Sequence, residues 1–236
     1  MRDDSTQTPE EHRLEEELRK CDPEKTDHTA PVDKPRVDRM AQELYDGFEL
    51  LRKYRLAATF FGSARCTLGD DIYDSAVSLA QHLAKSGFAI ISGGGGGIME
   101  AANKGAKEAG GQSVGLNIRL PHEQTENGFT TESKTFNYFF SRKVMLTFAS
   151  EVYVYFPGGF GTLDELFEIL TLIQTRKIKH IPVILYGKEY WEPLTTLIND
   201  HLYGKFKTID KEDMDLYTVV DSVDEAYETI LKQVKC

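Results

Sequence analysis

The run FPGGFGTLDE at residues 156–165 constrains the fold more than any other ten residues of this chain. It follows an apolar stretch at 151–155 that indicates a buried strand, and it opens a segment with apolar residues at helical spacing. A strand, a glycine turn and a helix start form an anion site, because glycines let the backbone approach a phosphate and the first helical amides point at it. Glu165, just inside the helix, indicates chemistry beside that phosphate. The alternative is that it only complements the helix dipole.

A second strand, glycine turn and helix start occurs at residues 88–105. An apolar stretch at 88–91 is followed by Ser92, five glycines and the helix-like run IMEAANKG. The run lacks the Gly-Lys-Ser/Thr end of a triphosphatase loop and the clean acidic partner of a dinucleotide fingerprint. One such loop is explained equally well as a turn packed against a neighbour, whereas two loops at matching strand ends favour a shared ligand site.

Strand-like and helix-like segments alternate along the rest of the chain. Strands are indicated at residues 56–61, 88–91, 113–116, 136–140, 151–155 and 182–186. Helices are indicated at 71–86, after each glycine turn, from Ser141, around 191–198 and at 223–234, and the polar stretch 119–135 indicates an excursion from the sheet. This alternation predicts an α/β fold, a Rossmann-like doubly wound parallel sheet in a single domain. Ligands of such sheets bind beyond the carboxyl ends of the strands, so we expect the loops there to gather at one edge.

Charge divides the chain into a tail and a domain. The formal net charge is −10, and residues 1–35 hold eleven Asp and Glu against six Lys and Arg. We therefore expect a polar, flexible tail over 1–35 and a Rossmann-like domain over 36–236, which begins with an amphipathic helix at 36–53. The acidic balance argues against a nucleic-acid partner bound through a basic face.

Apolar run length and cysteine spacing argue against a membrane-spanning, a secreted or a metal-binding protein. No apolar run reaches about 18 residues and the start is charged, so we expect neither a membrane span nor a signal peptide. Cys21, Cys66 and Cys236 lie far apart without metal-like neighbours, which indicates free thiols in the cytoplasm and no metal site.

The motifs described above resemble those of one family. The run PGGFGTLDE at 157–165 resembles the PGGxGTxxE motif of the Lonely Guy family, cytokinin-activating phosphoribohydrolases long mislabelled as lysine decarboxylases. The run FFSRK at 139–143 matches that family's upstream Arg-Lys, and residues 61–63 and 93–100 resemble its two other turns. The resemblance covers 37–232. It implies hydrolysis of the N-glycosidic bond of a nucleoside 5′-monophosphate, AMP or an N6-substituted AMP, to free base and ribose 5-phosphate, with no cofactor.

The resemblance also implies roles for particular residues. Breaking a ribosyl–base bond develops positive charge on the sugar, so a carboxylate at Glu165 stabilises the transition state or activates water. Arg142 is the second catalytic residue, which orients the substrate or Glu165. The residues expected to bind substrate are Gly62, Ser63, Gly95, Gly96, Gly97, Met99, Glu123, Lys143, Gly158, Gly159, Phe160, Gly161, Thr162, Leu163, Asp164 and Thr171.

Two departures from the family pattern and two alternatives stay open. Gly96 stands where many relatives carry proline, and the shortest members lack the extension before residue 53. The helix at 37–52 carries more apolar surface than an isolated appendage exposes, so we expect a homodimer or a higher homo-oligomer.

A nucleotide-binding sensor or carrier without hydrolysis needs the glycine loops but not Arg142 and Glu165. Lysine decarboxylation needs a Schiff-base lysine with a supporting carboxylate, and the sequence indicates no such arrangement.

Overall fold

The computed structural model of this chain describes residues 10, 13, 33–67, 69–120 and 126–234. The chain divides into two units, one ending at Arg39 and one beginning at Met40. In the first unit, the described part includes the start of helix α1 (Lys34–Leu51), where Lys34 Nζ lies 2.7 Å from Asp38 Oδ2. The second unit contains the sheet and the candidate site.

Strands and helices alternate along the second unit. The strands are β1 (Ala57–Phe61), β2 (Ala89–Ser92), β3 (Ser113–Ile118), β4 (Glu132–Phe136), β5 (Val152–Tyr155), β6 (Val183–Tyr186) and β7 (Thr218–Val220). The α-helices after α1 are α2 (Asp71–Lys85), α3 (Ile98–Glu108), α4 (Phe139–Thr147), α5 (Phe160–Gln174), α6 (Lys188–Thr196) and α7 (Val223–Gln233). A π-helical segment, Leu197–Lys205, and a 3-10 helix, Lys211–Leu216, follow α6.

The strands form one parallel sheet with the order β4-β3-β2-β1-β5-β6-β7. The chain first adds β2, β3 and β4 on one side of β1, and then returns to add β5, β6 and β7 on the other side. The point between β1 and β5 is therefore a topological switch point, where a crevice opens beyond the carboxyl ends of the strands. The predicted Rossmann-like, doubly wound sheet is confirmed.

Apolar side chains bury both faces of the sheet. Helices α2, α3 and α7 cover one face, where Phe60 and Val154 pack with Leu79. On the other face, Leu50 of α1, Met145 of α4 and Leu166 of α5 belong to a second cluster. All five residues of β1 are buried, as a central parallel strand requires.

Two edge strands lie where the sequence analysis does not place strands. The supposed excursion at 119–135 contains most of β4, while the strand expected at 136–140 is the end of β4 and the beginning of α4. In β4 only Phe136 is fully buried, so its sequence ESKTF lacks the apolar run on which the prediction relied. Strand β7, at the opposite edge, has only three residues.

The described residues contain no helix that is both long and apolar enough to span a membrane. Cys66 is a free thiol, whereas Cys21 and Cys236 lie outside the described residues.

Candidate active site

A cavity of about 700 Å³ opens at the switch point, in the size range of small-molecule sites. It lies among the turns that follow β1, β2 and β5, as expected from the parallel topology. The predicted site residues on its lining are Gly62, Ser63, Met99, Arg142, Gly159, Phe160, Gly161, Thr162, Leu163, Asp164 and Glu165. Residues that are about 100 apart in sequence therefore meet around one space.

The start of α5 presents unused backbone amides to this cavity. The Leu163 amide donates to the Gly159 carbonyl at 3.1 Å, so the amides of Phe160 to Thr162 precede the hydrogen-bonded ladder of the helix. The Ser63 amide donates to the Pro157 carbonyl at 2.9 Å, which ties this turn to the one after β1. These amides lie at the positive end of the helix dipole, an arrangement suited to a phosphate.

Packing also holds the turn before α5. A Cβ added to Gly158 would lie 2.7 Å from Thr162 Cβ, so only glycine fits beneath that threonine. The hydroxyl of Tyr190, on α6, donates to the Gly158 carbonyl. Gly158 therefore supports the turn, whereas its neighbour Gly159 reaches the cavity lining.

Glu165 lies on the cavity lining in the second turn of α5, and it is only 6% exposed. Burial raises the pKa of its carboxyl to about 7, although the charges of Arg142 and Lys143 act in the opposite direction. Its Oε2 atom has no hydrogen-bond partner among the residues that the structure describes. A buried carboxyl with a pKa near neutrality can accept or release a proton at physiological pH.

Arg142, in the first turn of α4, extends across the carboxyl ends of β2 and β3. Its Nε donates to the Leu116 carbonyl at 2.7 Å, and a Cβ added to Gly93 would collide with its Nη2 atom. Burial lowers the pKa of this guanidinium while the charge of Glu165 raises it. Since an arginine stays protonated in proteins, Arg142 provides a fixed positive charge beside the carboxyl of Glu165.

Lys143 is not on the cavity lining. Its Nζ pairs with Asp164 Oδ2 at 2.8 Å and with Glu168 Oε2 at 3.0 Å, so it bridges α4 and α5. Burial acts to lower the pKa of Lys143, but the bonds to these two carboxylates outweigh it and raise the pKa. The substrate contact expected for Lys143 stays a prediction, and the observed contacts are to the helix that carries Glu165.

Most of the second glycine run lies behind the cavity lining rather than on it. Gly93 and Met99 are on the lining, whereas Gly95, Gly96 and Gly97 are not. Gly97 has a φ of 67°, and a Cβ there would lie 2.6 Å from the Ala64 carbonyl carbon. Gly97 therefore allows the second turn to pack closely against the first, whereas a Cβ on Gly96 would meet only the Ala64 carbonyl oxygen, at 3.7 Å.

A buried polar network holds the second glycine run in place. The Oδ1 atom of Asn103 accepts from Ser92 Oγ at 2.7 Å and from Asn127 Nδ2 at 3.0 Å. The same amide of Asn127 donates to the Gly95 carbonyl at 2.9 Å, and the Gly94 amide donates to Ser92 Oγ at 3.0 Å. The sequence analysis did not single out these side chains, because they are separated in sequence and have no motif.

Thr171 and Glu123 are the two remaining residues predicted to bind substrate. Thr171 is exposed on α5, two turns beyond Glu165, and does not line the cavity. Glu123 lies outside the described residues. The binding roles assigned to both stay predictions.

The lining also includes residues that the sequence analysis missed. The apolar side chains among them are Phe60, Phe61, Ile118, Leu120, Phe139 and Leu146. Arg65, in the turn after β1, adds a second guanidinium at this lining. Its position two residues after the predicted Gly62-Ser63 turn was an available signal, whereas the apolar residues come from three separate segments.

Comparisons with known proteins relate this chain to one family and to solved structures of the same fold. A family model described as "possible lysine decarboxylase" matches residues 99–230. A rice protein (Oryza sativa subsp. japonica) named as a probable cytokinin riboside 5′-monophosphate phosphoribohydrolase is 32% identical over 136 residues, which are 56% of this chain and 54% of that protein. An Arabidopsis thaliana cytokinin riboside 5′-monophosphate phosphoribohydrolase is 32% identical over 129 residues, 53% of this chain and 56% of that protein. The match thus spans little more than half the length of these plant relatives.

Solved structures with the same fold include two proteins that carry or bind a cofactor. The molybdenum cofactor carrier protein of Chlamydomonas reinhardtii is 24% identical, with a TM-score of 0.56 over 75% of this chain and 98% of that one. The molybdenum cofactor binding protein of Rippkaea orientalis is 21% identical, with a TM-score of 0.55 over 75% and 94% of the two chains. At these identities the likeness concerns the fold alone.

Proposed function

This chain belongs to the Lonely Guy family, whose model carries the lysine decarboxylase description, and on that premise we propose that it hydrolyses the N-glycosidic bond of a nucleoside 5′-monophosphate. The products are the free base and ribose 5-phosphate. The observation that carries the proposal is the position of Glu165. It is a buried carboxyl on the cavity lining, about one helical turn beyond the amides at the start of α5.

The start of α5 would hold the 5′-phosphate. Its amides supply hydrogen-bond donors and the positive end of the dipole, and the glycines at 159 and 161 leave room for close approach. Holding the phosphate there places the ribose near Glu165, so binding energy is used for orientation.

Glu165 would act on the sugar. As the bond to the base breaks, positive charge develops at the anomeric carbon, which an adjacent carboxylate stabilises. The same carboxylate can take a proton from the attacking water, and a pKa of about 7 suits that exchange near neutral pH. The water adds its oxygen to the anomeric carbon, and its protons are shared between the new sugar hydroxyl and the departing base.

Arg142 and Lys143 would keep enough of Glu165 ionised. Both charges lower the pKa of that carboxyl against the effect of burial. Without them, burial would hold more of Glu165 in the protonated form, which can neither stabilise the cation nor accept a proton from water.

Lysine decarboxylation fits this cavity poorly. Pyridoxal phosphate chemistry requires a lysine that forms a Schiff base with the cofactor. The lining formed by the described residues contains no lysine, and Lys143 is engaged with Asp164 and Glu168 outside it. The residues present therefore do not fit that cofactor, despite the family description.

The proposal is tested by following both products. AMP and isopentenyladenosine monophosphate are incubated separately with the protein, and free base and ribose 5-phosphate are measured by chromatography. We expect base release that falls by about 10² to 10⁴ in Glu165→Gln, the range for loss of a general acid–base group. A matched control is Glu228→Gln, since Glu228 is an exposed glutamate on α7 paired with Lys232.

Failure of this test would favour the carrier alternative. Tight AMP binding by calorimetry without release of base would indicate a nucleotide sensor or carrier, which needs the amides but not Glu165. Base release that is unchanged in Glu165→Gln would show that another residue performs the chemistry. The ratio of the rates with the two substrates would measure the preference for an N6-prenyl group.

A further inference from the structure

We propose that Glu43, on α1, is a positioning residue that holds the first turn of α4 and thereby the guanidinium of Arg142; its catalytic consequence rests on the function proposed above. Glu43 is 8% exposed and lies outside the cavity lining. It is a buried carboxylate that the proposed mechanism does not otherwise use.

Four hydrogen bonds direct the Glu43 carboxylate at one short segment. Its Oε1 accepts from the Asn137 amide at 2.8 Å and from Asn137 Nδ2 at 2.6 Å. Its Oε2 accepts from Ser141 Oγ at 2.7 Å and from the Tyr138 amide at 3.4 Å. All four donors lie within the five residues 137–141, where α4 begins.

This carboxylate lies beside the start of α4, where it accepts from the amide of the N-cap residue Tyr138 and from the amide of Asn137 before it. The N-cap residue of α4 is Tyr138, whose side chain makes no capping bond. The first amides of a helix need acceptors, and a negative charge near them is stabilised by the helix dipole. Although burial acts to raise the pKa of Glu43, its bonds to Ser141, Asn137 and Tyr138 outweigh that effect and keep the pKa below its usual value. Glu43 therefore stays charged at the start of α4.

A second contact holds the same pair of helices together. A Cβ added to Gly47 of α1 would lie 2.6 Å from Met145 Cγ of α4, so the glycine permits close approach. Glu43 and Gly47 are one turn apart on α1, as Ser141 and Met145 are on α4. The helices thus touch along one face at two successive turns, and Arg142 follows directly on Ser141.

The position of α4 determines how close its two cationic side chains lie to the carboxyl of Glu165. Among the residues that the structure describes, the charged and titratable groups that act on Glu165 are Arg142 and Lys143 from α4, Asp164 and Glu168 from its own helix, and Tyr153 and Tyr155 from β5. Only the two on α4 are cationic, and both lower the pKa of Glu165. A displaced first turn of α4 would weaken this attraction and raise that pKa, without moving the amides at the start of α5.

The test uses Glu43→Gln and Ser141→Ala in the full chain. We expect kcat for AMP to fall by roughly tenfold to a hundredfold in Glu43→Gln, with KM within about twofold, because the phosphate amides are untouched. The pKa of the Glu165 carboxyl, followed by carbon-13 NMR and assigned with Glu165→Gln, should rise in both variants. Ser141→Ala removes one bond and keeps the charge, so its effects should be smaller.

Glu49→Gln is the matched control. Glu49 lies on the same helix, but its carboxylate pairs with Arg52 at 2.8 Å on the surface. It should leave kcat and the pKa of Glu165 as in the wild type. A wild-type value of both quantities in Glu43→Gln and Ser141→Ala would overturn the positioning role.

The NMR measurement separates this inference from the proposed function. A raised pKa of Glu165 in the variants, with no base release even from the wild-type protein, would support positioning by Glu43 and refute the hydrolase. Base release by the wild type, with an unmoved pKa of Glu165 and an unchanged kcat in the variants, would support the hydrolase and refute positioning by Glu43.

Discussion

The guanidinium of Arg142 covers Gly93, so that a Cβ on this glycine would collide with the Nη2 atom. The same Cβ would lie 2.6 Å from Met99 Sδ, on a side chain flexible enough to move. Gly93→Ala should therefore displace the guanidinium and lower kcat by on the order of a hundredfold. Two quantities are measured: kcat for AMP, which should fall, and the dissociation constant of ribose 5-phosphate, which should change little.

Gly128→Ala is the control for that substitution, since nothing lies within 4 Å of the added Cβ. Equal losses in both alanine variants would mean that the effect does not come from Arg142.

The pKa of Glu165 predicts how activity depends on pH. If the ionised carboxylate is the active form, kcat/KM for AMP should rise with pH and reach half its limit near pH 7. The profile is measured under conditions that keep the protein folded throughout. A rate already at its limit well below pH 6 would contradict the raised pKa.

Lys143 should influence that profile through its positive charge. Lys143→Gln removes a positive charge that lowers the pKa of Glu165, so the rising limb should move to higher pH. Lys232→Gln, which breaks an exposed pair on α7, should leave the limb in place. A large rise in KM with an unmoved limb would instead indicate the direct substrate contact expected from the sequence.

The same pKa predicts a pH-dependent cost to stability. The carboxyl of Glu165 titrates near 4.5 in the unfolded chain and at about 7 in the folded one, so the folded state binds more protons between these values. Its contribution to the free energy of unfolding thus falls as pH rises through that window.

Glu165→Gln should lack this fall. The free energy of unfolding of the variant minus that of the wild type should increase by about 3 kcal/mol from pH 4 to pH 8, as measured by urea denaturation. A difference that is constant with pH would place the pKa of Glu165 near its ordinary value.

A homo-oligomer, expected from the sequence, also stays a prediction. Tyr45 and Phe48 on α1 and Phe148 after α4 are exposed, and the rings of Phe48 and Phe148 are 6.1 Å apart. We expect light scattering to give a mass above 26.7 kDa, and Phe148→Ser to shift the equilibrium toward that monomer mass. A monomer at high protein concentration would refute this expectation.

The sequence reveals the parts of this site that are local. The run at 157–165 contains the turn, the amides and Glu165 together, so a strand, a glycine turn and a helix start are enough to predict them. The alternation of elements likewise predicts a parallel sheet. These features depend on neighbours in the chain, whose spacing can be counted.

Contacts between segments that are distant in sequence cannot be predicted from local spacing in this way. Glu43 and Ser141 are 98 residues apart, and nothing near either one signals the other. Lys143 has the residue type of a phosphate ligand, and only its position between α4 and α5 reveals its two carboxylate partners. Strand β4 is missed because an edge strand keeps polar side chains on its exposed face.

Because the strand order reverses between β1 and β5, different parts of the chain supply the apolar lining and the phosphate-binding amides. Most of the apolar lining comes from segments before residue 147, whereas the amides and Glu165 come from the second arm of the sheet. A polypeptide that ends before α5 therefore contains most of the apolar lining and Arg142 but lacks Glu165 and the amides, and its site is complete only when β5 pairs with β1. Substitutions of the apolar lining in the first arm can accordingly change the shape of the cavity while the amides and Glu165 in the second arm stay as they are.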